Sequence, residues 1–257
     1  MISYIKSETY RMLHNKGNYL FILICSALLI SSNVVLAVVD GTSKNFPYAN
    51  TNFSLGMLYT SLSMVFLLCI SVTSIAFGNE YGNHTMKNSI SYGISRGHIY
   101  FGKLISSILY AFVAFIVICG LYLLTGYGLL EHSHGPEMEI LLKAVLAALP
   151  LFLYAVAVTN CFSFLLEGSG SAITAIVSTM LAFPYVCNLL GMKFQFFQML
   201  AKILPWNLIN NMDFNSSDLI LPWEGATGYY YYWIAGVVQM LLFVILGYVV
   251  FRRKEIK

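Results

Sequence analysis

The sequence predicts an all-α protein that crosses a membrane six times. Six long stretches contain almost no charge, and each is close to or above the roughly 20 apolar residues that a helix needs to cross about 30 Å of hydrocarbon. Only helices and closed barrels satisfy their backbone groups in lipid. The hydrophobic share of 58% and the charged share of 10% agree with such a chain, so we expect one membrane domain over residues 1–257. The six stretches are residues 18–39, 54–78, 104–127, 140–166, 170–191 and 230–251.

The positions of lysine and arginine predict which side of the membrane each connection faces, because cationic flanks are retained on the cytoplasmic side. With both termini cytoplasmic, most of the 14 Lys and Arg residues lie inside, and those left outside are Lys44, Lys143, Lys193 and Lys202. Most acidic residues fall on the outer side. The net charge of +3 therefore reflects topology, and we expect no nucleic-acid partner.

The first 17 residues are expected to form an amphipathic helix along the cytoplasmic interface. Its apolar residues Ile2, Ile5, Met12 and Leu13 fall on or near one helical face. The helix is either a positively charged anchor or a lever that connects the membrane domain to something below it.

The longest inner loop, residues 79–103, contains a second short helix. The sequence fits a helix over 85–92 that ends at Gly93, and Ser95 fits the N-cap of the helix that leads into the third span. Met86 and Ile90 lie four residues apart and share one face. A compact helix held between two spans is suited to receiving force.

This loop also carries a family resemblance. The string Glu80-Tyr81-Gly82-Asn83-His84-Thr85, followed by Ser95-Arg96 and Gly102-Lys103, resembles the E-Y-x-x-G/H-T … S-R … G-K pattern of permease subunits of ABC-2 type transporters. In that family the loop holds the coupling helix that docks on a separate ATP-binding subunit. The resemblance extends to span number, orientation, the N-terminal helix and the placement of the loop.

The resemblance implies a multi-pass transport subunit of the bacterial cytoplasmic membrane, with ATP and Mg²⁺ bound by the partner subunit and no cofactor or metal in this chain. It also implies a dimer with a second copy or a paralogue, with spans one and five as the seam. The residues expected on or beside the coupling helix, in contact with the ATPase, are Glu80, Thr85, Met86, Lys87, Ser89, Ile90 and Arg96.

Two strings in the loop imitate catalytic motifs. Residues 97–103 satisfy GxxxxGK, but Leu104 replaces the Ser or Thr that would hold Mg²⁺, and no strand precedes the string. Residues 93–97 satisfy GxSxG, but a nucleophile elbow needs a strand-to-helix turn and a histidine partner. We therefore expect no catalytic residue and no enzyme activity in this chain.

Ionisable residues are missing from the predicted spans, apart from Lys143 near one end. Ion-coupled transporters keep such groups near the midplane, so transport here should draw its energy from elsewhere. Neutral polar residues within the spans are expected to form hydrogen bonds between helices. They are Asn33, Asn160, Asn188 and Gln239.

The outer loop 128–139 contains clustered His and Glu residues that could bind a transition metal. A structural reading is also available, because Ser133 and Pro136 are typical of a helix start, and Glu137 and Glu139 suit the positive end of the helix dipole.

The outer segment 192–229 is too apolar for water and too interrupted by Pro205 to span the membrane. We expect short helices that enter the outer leaflet, and the family resemblance implies re-entrant helices that cap the translocation path. Passive anchoring at the interface is the alternative. The residues expected to form the extracellular gate and to contact cargo are Phe194, Phe196, Phe197, Pro205 and Trp206.

The expected function is that of a permease subunit in an ATP-driven exporter of amphipathic or antimicrobial peptides, because small permeases of this family resemble exporters of phenol-soluble modulins. Lantibiotic or bacteriocin immunity and the export of drugs, ions, lipids or polysaccharides stay open. A receptor, an assembly protein or a lipid scramblase is the alternative from a different class.

Overall fold

The computed structural model describes residues 2–42, 46–77, 85–133, 135–166, 168–215, 218–221 and 228–254, nearly all of them helical. The helices are α1 (Ile2–Leu13), α2 (Lys16–Thr42), α3 (Thr51–Thr60), α4 (Met64–Phe77), α5 (Thr85–Ser91), α6 (Arg96–Leu129), α7 (Glu137–Leu165), α8 (Ser169–Val177), α9 (Phe183–Gly191), α10 (Gln195–Ile203), α11 (Pro205–Asn210) and α12 (Tyr229–Arg253). Two short antiparallel strands, β1 (Asp213–Asn215) and β2 (Asp218–Ile220), form a hairpin.

Within the described residues, five helical units are long and apolar enough to cross a membrane: α2, α6, α7, α12 and the continuous α8–α9 unit. The pair α3 and α4 makes a sixth crossing when it is taken as one span, although it is bent by 61°. The predicted all-α polytopic architecture is therefore confirmed. The second crossing differs from the uninterrupted helix expected over 54–78.

A hydroxyl side chain bonds to the backbone beside the bend in the second crossing. Thr60 Oγ1 donates to the carbonyls of Gly56 and Met57, at 2.8 and 3.2 Å. Such bonds from a side chain to the preceding turn bend helices. Between α3 and α4 the main chain follows tight i to i+3 hydrogen bonds, such as the 3.0 Å bond from the Met64 amide to the Ser61 carbonyl. The backbone groups at the bend thus keep partners within the chain.

Helix α7 lies at the centre of the bundle, and α12 packs along it at very short range. A Cβ atom at Gly236 would lie 2.8 Å from the carbonyl carbon of Pro150, and one at Gly247 would lie 3.1 Å from Cys161 Cα. These two glycines let α12 approach the α7 backbone, as small residues do in membrane helix pairs. The buried small residues of α7 include Ala144, Ala147, Ala148, Ala155 and Ala157.

The fifth span contains a π-helical turn, Ser178–Ala182, between α8 and α9. The Phe183 amide donates to the Ser178 carbonyl, which is an i to i−5 bond. Pro184 follows at once and has no N–H to continue the α-helical pattern. Widening one turn before the proline keeps the span continuous.

Helix α1 packs on the first turns of α6, where a Cβ at Gly102 would lie 2.5 Å from Tyr4 Cδ1. Glu8 and Met12 are buried along the same side of α1, whereas Ile2 is 83% exposed. The face that packs therefore carries Tyr4, Glu8 and Met12, which differs from the expected apolar face containing Ile2 and Leu13. At this end of the bundle, α1 and α5 meet the start of α6 and the C-termini of α7 and α12. We call it the basic end, because Arg96, Lys103 and Lys254 lie there.

At the opposite end, a polar cluster joins α2, α3 and α6. Asn33 Nδ2 donates to the Tyr122 carbonyl at 3.0 Å, and Asn33 Oδ1 accepts a 2.8 Å bond from Ser54 Oγ. Tyr122 Oη in turn donates to the Ser54 carbonyl at 2.9 Å. The expectation that Asn33 bonds between helices is confirmed.

Candidate functional site at the two ends of the helix bundle

The predicted short helix in the 79–103 loop is present as α5, and its end has a defined geometry. Gly93 has a φ of +82°, a conformation that glycine adopts without strain. The Gly93 amide donates to the Ile90 carbonyl and the Ile94 amide donates to the Ser89 carbonyl, at 2.9 and 3.2 Å. This is the Schellman pattern, which closes the helix and turns the chain toward α6.

The next helix begins as predicted at Ser95, whose hydroxyl accepts a 3.3 Å bond from the His98 amide. Capping of this kind satisfies one of the free amides at a helix start. The turn between α5 and α6 is therefore fixed at both of its ends.

The apolar side of α5 faces its own bundle. Met86 is 4% exposed and belongs to the central core, and Ile90 packs against the same core. Both residues were expected to contact an ATPase, but this burial leaves Met86 little surface for a partner. The exposed residues at this end of α5 are Asn88, Ser91 and Tyr92.

The structure describes the other residues of the expected coupling surface to different extents. Ser89 is half-buried within α5. For Thr85 and Lys87 the structure describes only the backbone, which is part of α5. Glu80 lies outside the described residues.

Arg96, also expected at the coupling surface, holds the C-terminus of α12. Its Nη1 donates to the carbonyls of Phe251, Arg252 and Lys254 at 3.1, 2.8 and 2.7 Å. The last carbonyls of a helix are left without partners inside the helix, and a positive charge there also complements the helix dipole. The side chain thus fastens the start of α6 to the end of α12.

Lys254 repeats this arrangement on the neighbouring helix. Its Nζ donates to the carbonyls of Phe164 and Leu165, at 3.2 and 3.0 Å, at the end of α7. Hydrogen bonds from two basic side chains to main-chain carbonyls therefore connect the start of α6 to the end of α12, and the end of α12 to the end of α7. Helix α5 is joined to these contacts by the short turn at Gly93.

A buried ion pair connects α1 to the same structure. Lys103 Nζ lies 3.1 Å from Glu8 Oε2, and the side chains are 2% and 9% exposed. Lys103 Nζ also lies 4.8 Å from the centre of the Phe77 ring, which ends α4. One cation therefore joins three elements, α1, α4 and α6, beside the loop that contains α5.

Sequence reasoning did not single out Glu8. A usable signal was available, because Tyr4, Glu8 and Met12 recur every four residues, which places the acidic residue in the middle of a face that packs. Lys103 appears in the sequence analysis only as part of the family pattern.

At the opposite end, α10 and α11 fold back against α9. A Cβ at Gly191 would lie 3.1 Å from Gln198 Cα, so α10 passes directly over the end of α9. Asn188 and Asn207 form a reciprocal amide pair, each Nδ2 donating to the other's Oδ1 at 3.0 Å. The interhelical role expected for Asn188 is confirmed.

The break between α10 and α11 is fixed from a third helix. Gln239 of α12 donates from Nε2 to the Ile203 carbonyl at 2.8 Å, just before the break at Leu204 and Pro205. Gln239 lies ten residues into α12, which corresponds to about 15 Å along the helix axis. The break therefore lies well below the beginning of α12 and not on the surface of that end.

The expected gate residues divide into two groups. Phe194 and Phe196 are 56% and 71% exposed, and each ring contacts Phe197, at centroid distances of 6.3 and 5.5 Å. Phe197 packs on the small cluster of Cys187, Ala201 and Leu204.

Trp206 lies apart from these phenylalanines. Its ring centroid is 5.8 Å from that of Phe66, in the first turn of α4. Pro205 is buried in the first turn of α11. Tyr59 at the end of α3 contacts Phe214 of β1 at 6.3 Å. The segment after the fifth span therefore touches both sides of the bend in the second crossing.

The loop between α6 and α7 is occupied by structural contacts. Glu131 exchanges main-chain bonds with Ala49 and Thr51, and the Ser133 hydroxyl contacts Thr51 Oγ1 at 3.3 Å. Ser133 therefore holds the start of α3 and not that of α7, which begins after Pro136. Within the described residues, which exclude 134, no three His, Cys, Asp or Glu side chains are grouped to hold a metal ion.

Asn160 is fully buried in the core that joins α6, α7 and α12. Its side chain interacts there with Tyr100 of α6, which is a contact between helices of the kind expected for this residue.

Comparison with known families agrees with this architecture. The family model described as "ABC-2 family transporter protein" matches residues 4–188, from α1 to the last turn of α9. A search of curated proteins found no match. The matched region contains α5, the Glu8 and Lys103 ion pair and the bent second crossing. Because the match covers well over half of the chain, the chain belongs to the ABC-2 family of transporter proteins, as a multi-pass membrane permease.

Proposed function

We propose that this chain is the permease subunit of an ATP-driven exporter and that its basic end faces the cytoplasm and docks on a separate ATP-binding subunit. One observation carries the proposal. Helix α5 leads through a fixed turn into Arg96, whose guanidinium holds the end of α12, and Lys254 continues the connection to α7. A displacement of α5 by a partner would therefore be transmitted to three spans.

The docking surface consists of the outward side of α5 and the residues around it. Asn88, Ser91 and Tyr92 are exposed, and Tyr92 is 87% accessible. Tyrosine is enriched among residues that dominate binding energy at protein interfaces. Met86 and Ile90 hold α5 on the permease. One face of this helix therefore packs on the bundle, and the other is available to the ATP-binding subunit.

A second permease copy or a paralogue completes the pathway in this proposal. Helix α2 is mostly exposed, and its outward residues Leu20, Leu23 and Ile24 are 48% to 64% accessible. Helix α9 has a similar face with Phe183, Tyr185 and Val186. These exposed faces support a seam that uses spans one and five.

The proposed cargo is an amphipathic or antimicrobial peptide, moved outward across a bacterial cytoplasmic membrane. Helix α10 is fixed on one side to α9, while its other side exposes Phe194, Phe196 and Met199. Aromatic rings of this kind can receive the apolar face of a peptide. Immunity to lantibiotics uses cargo of the same chemical class and is the second candidate.

Co-purification and reconstitution test the proposal. The tagged full-length chain should bring down an ATP-binding protein, and vesicles containing both should accumulate an amphipathic helical peptide in an ATP-dependent manner. A scrambled peptide without an apolar face is the control. Absence of an ATP-binding partner at normal protein abundance would contradict the proposal. ATP hydrolysis stimulated by drugs or ions but not by peptide would reassign the cargo.

A further inference from the structure

A cavity of about 370 Å³ lies between α2, the bend of the second crossing and α6. Its floor consists of side chains that are almost fully buried, namely Leu62, Val65 and Ile118. Its rim carries Leu28 and Met64, which are 67% and 61% exposed. The cavity therefore opens sideways, between the first and second crossings.

The opening lies at the depth of the membrane interior. Cys25, on the α2 wall, is nine residues from the start of this 27-residue helix, which corresponds to about 13 Å. In a chain that spans a membrane, the medium outside such an opening is lipid hydrocarbon.

Water does not suit this space. At about 30 Å³ for each molecule, the cavity has the volume of roughly a dozen waters, and each water needs two to four polar partners. Among the described residues that line the cavity, the side-chain hydroxyls are those of Ser61 and Ser71. The remaining lining is apolar apart from two thiols, so the cavity is dry.

A helix from a second copy would meet the rim of the cavity at Leu28 and Met64, because the floor is buried between three helices. The α2 wall extends from Phe21 to Leu29, which is about 12 Å along the helix axis. A recess of this length suits part of a single extended chain.

We infer that this cavity binds one acyl chain of a membrane phospholipid, inserted sideways between the first and second crossings. The bend at Ser61–Ser63 creates the space, because it turns α3 away from the line of α4. An acyl chain replaces the dispersion contacts that an empty cavity would forfeit. This inference is independent of the cargo and of the ATP-binding partner.

Photolabelling of the full chain in phosphatidylglycerol vesicles tests the inference. The probe is phosphatidylglycerol with a diazirine in the middle of one acyl chain, and cross-linked peptides are mapped by mass spectrometry. We expect labelling of residues 61–71 and 115–119 to exceed severalfold that of the lipid-facing side of α12, where Ile234, Leu242 and Ile245 are exposed.

Two matched variants of α6 sharpen the test. Cys119→Trp fills the cavity and should reduce its labelling severalfold, whereas Ile116→Trp adds the same side chain on the exposed face and should leave the labelling unchanged. Cys25→Trp fills the space from α2 if Cys119→Trp fails to fold.

Three results would overturn the inference. The first is cavity labelling no stronger than that of α12, and the second is equal labelling of the filled and unfilled proteins. The third is loss of the label when an amphipathic peptide is added, which would assign the cavity to cargo.

Discussion

Glu8 Oε2 accepts hydrogen bonds from two cations of different helices, Lys103 Nζ at 3.1 Å and Arg11 Nη2 at 2.7 Å. Arg11 is 41% exposed at its side chain, whereas Lys103 is almost fully enclosed. The Glu8 carboxylate therefore compensates the buried charge of Lys103, and its second partner, Arg11, reaches the surface. This arrangement makes α1 a structural part of the bundle.

Removing the Glu8 carboxylate should lower the stability of the folded protein. Glu8→Gln removes the anion that compensates Lys103, and breaking a buried pair in this way destabilises proteins by about 3 to 5 kcal/mol. Glu8→Gln together with Lys103→Met should be less destabilised than Glu8→Gln alone, as measured by thermal unfolding in detergent. Lys6→Gln, at an exposed position of the same helix, is the control. If the control loses as much stability as Glu8→Gln, the ion pair is not responsible.

Substitutions on the two faces of α5 should have different effects. Met86→Asp places a charge in the core and should lower the amount of folded permease. Asn88→Ala with Tyr92→Ala should leave folding intact but weaken ATPase binding by about 2 kcal/mol, which is roughly thirtyfold. Binding is measured by titration of the purified subunits, with Tyr230→Ala at the opposite end as the control. Normal affinity in the double variant would remove this surface from the docking site.

The packing of α12 on α7 predicts a contrast between two glycines. Gly236→Ala places a Cβ against the Pro150 backbone and should cost about 1 to 3 kcal/mol, as overpacking does. Gly120→Ala meets no atom within 4 Å and should be neutral or slightly stabilising. Thermal unfolding of both variants in the same detergent decides the matter. Equal stability of the two variants would show that α12 adjusts its position without cost.

Trp206 and Phe66 should be energetically coupled. An aromatic pair contributes about 0.5 to 1.5 kcal/mol beyond the area that it buries, so a double-mutant cycle with Trp206→Leu and Phe66→Leu should give a coupling of this size. Peptide-stimulated ATP hydrolysis should fall in Trp206→Leu by more than protein abundance does. Trp233→Leu, at a 42% exposed position of α12, is the control. Additive effects in the cycle would mean that the segment after the fifth span acts independently of the second crossing.

The sequence predicted the spans well because hydrocarbon selects for length and apolarity, which are both visible along a chain. It also located α5, since Gly93 and Ser95 mark a helix end and a helix start. It did not reveal the bend at Ser61, because hydroxyl residues are tolerated in straight and in bent membrane helices alike. The pairing of Glu8 with Lys103 joins positions 95 residues apart, and a single sequence carries no signal for such a contact.

The sequence also left the partners of α5 open. Periodicity placed Met86 and Ile90 on one face, but it could not tell whether that face met the bundle or another protein. Arg96 was similarly ambiguous, because a cation beside a loop can face a partner or cap a helix end. In the expected gate, Phe197 and Trp206 lie close together in the sequence but on opposite sides of the break at Pro205. Phe197 packs on the Cys187 cluster and Trp206 packs against Phe66, which their spacing in the sequence does not show.

The contacts of Arg96 and Lys254 have a consequence for how this protein can diverge. Both side chains bind main-chain carbonyls, and every residue type supplies the same carbonyl oxygen. Positions 164–165 and 251–252 can therefore exchange their side chains over evolutionary time without loss of these links, as long as their packing is preserved. Arg96 has less freedom, because its own side chain supplies the donor, Nη1, for all three bonds. Related permeases that retain this contact should keep a long basic side chain at position 96, while the residues at the helix end that it binds can change.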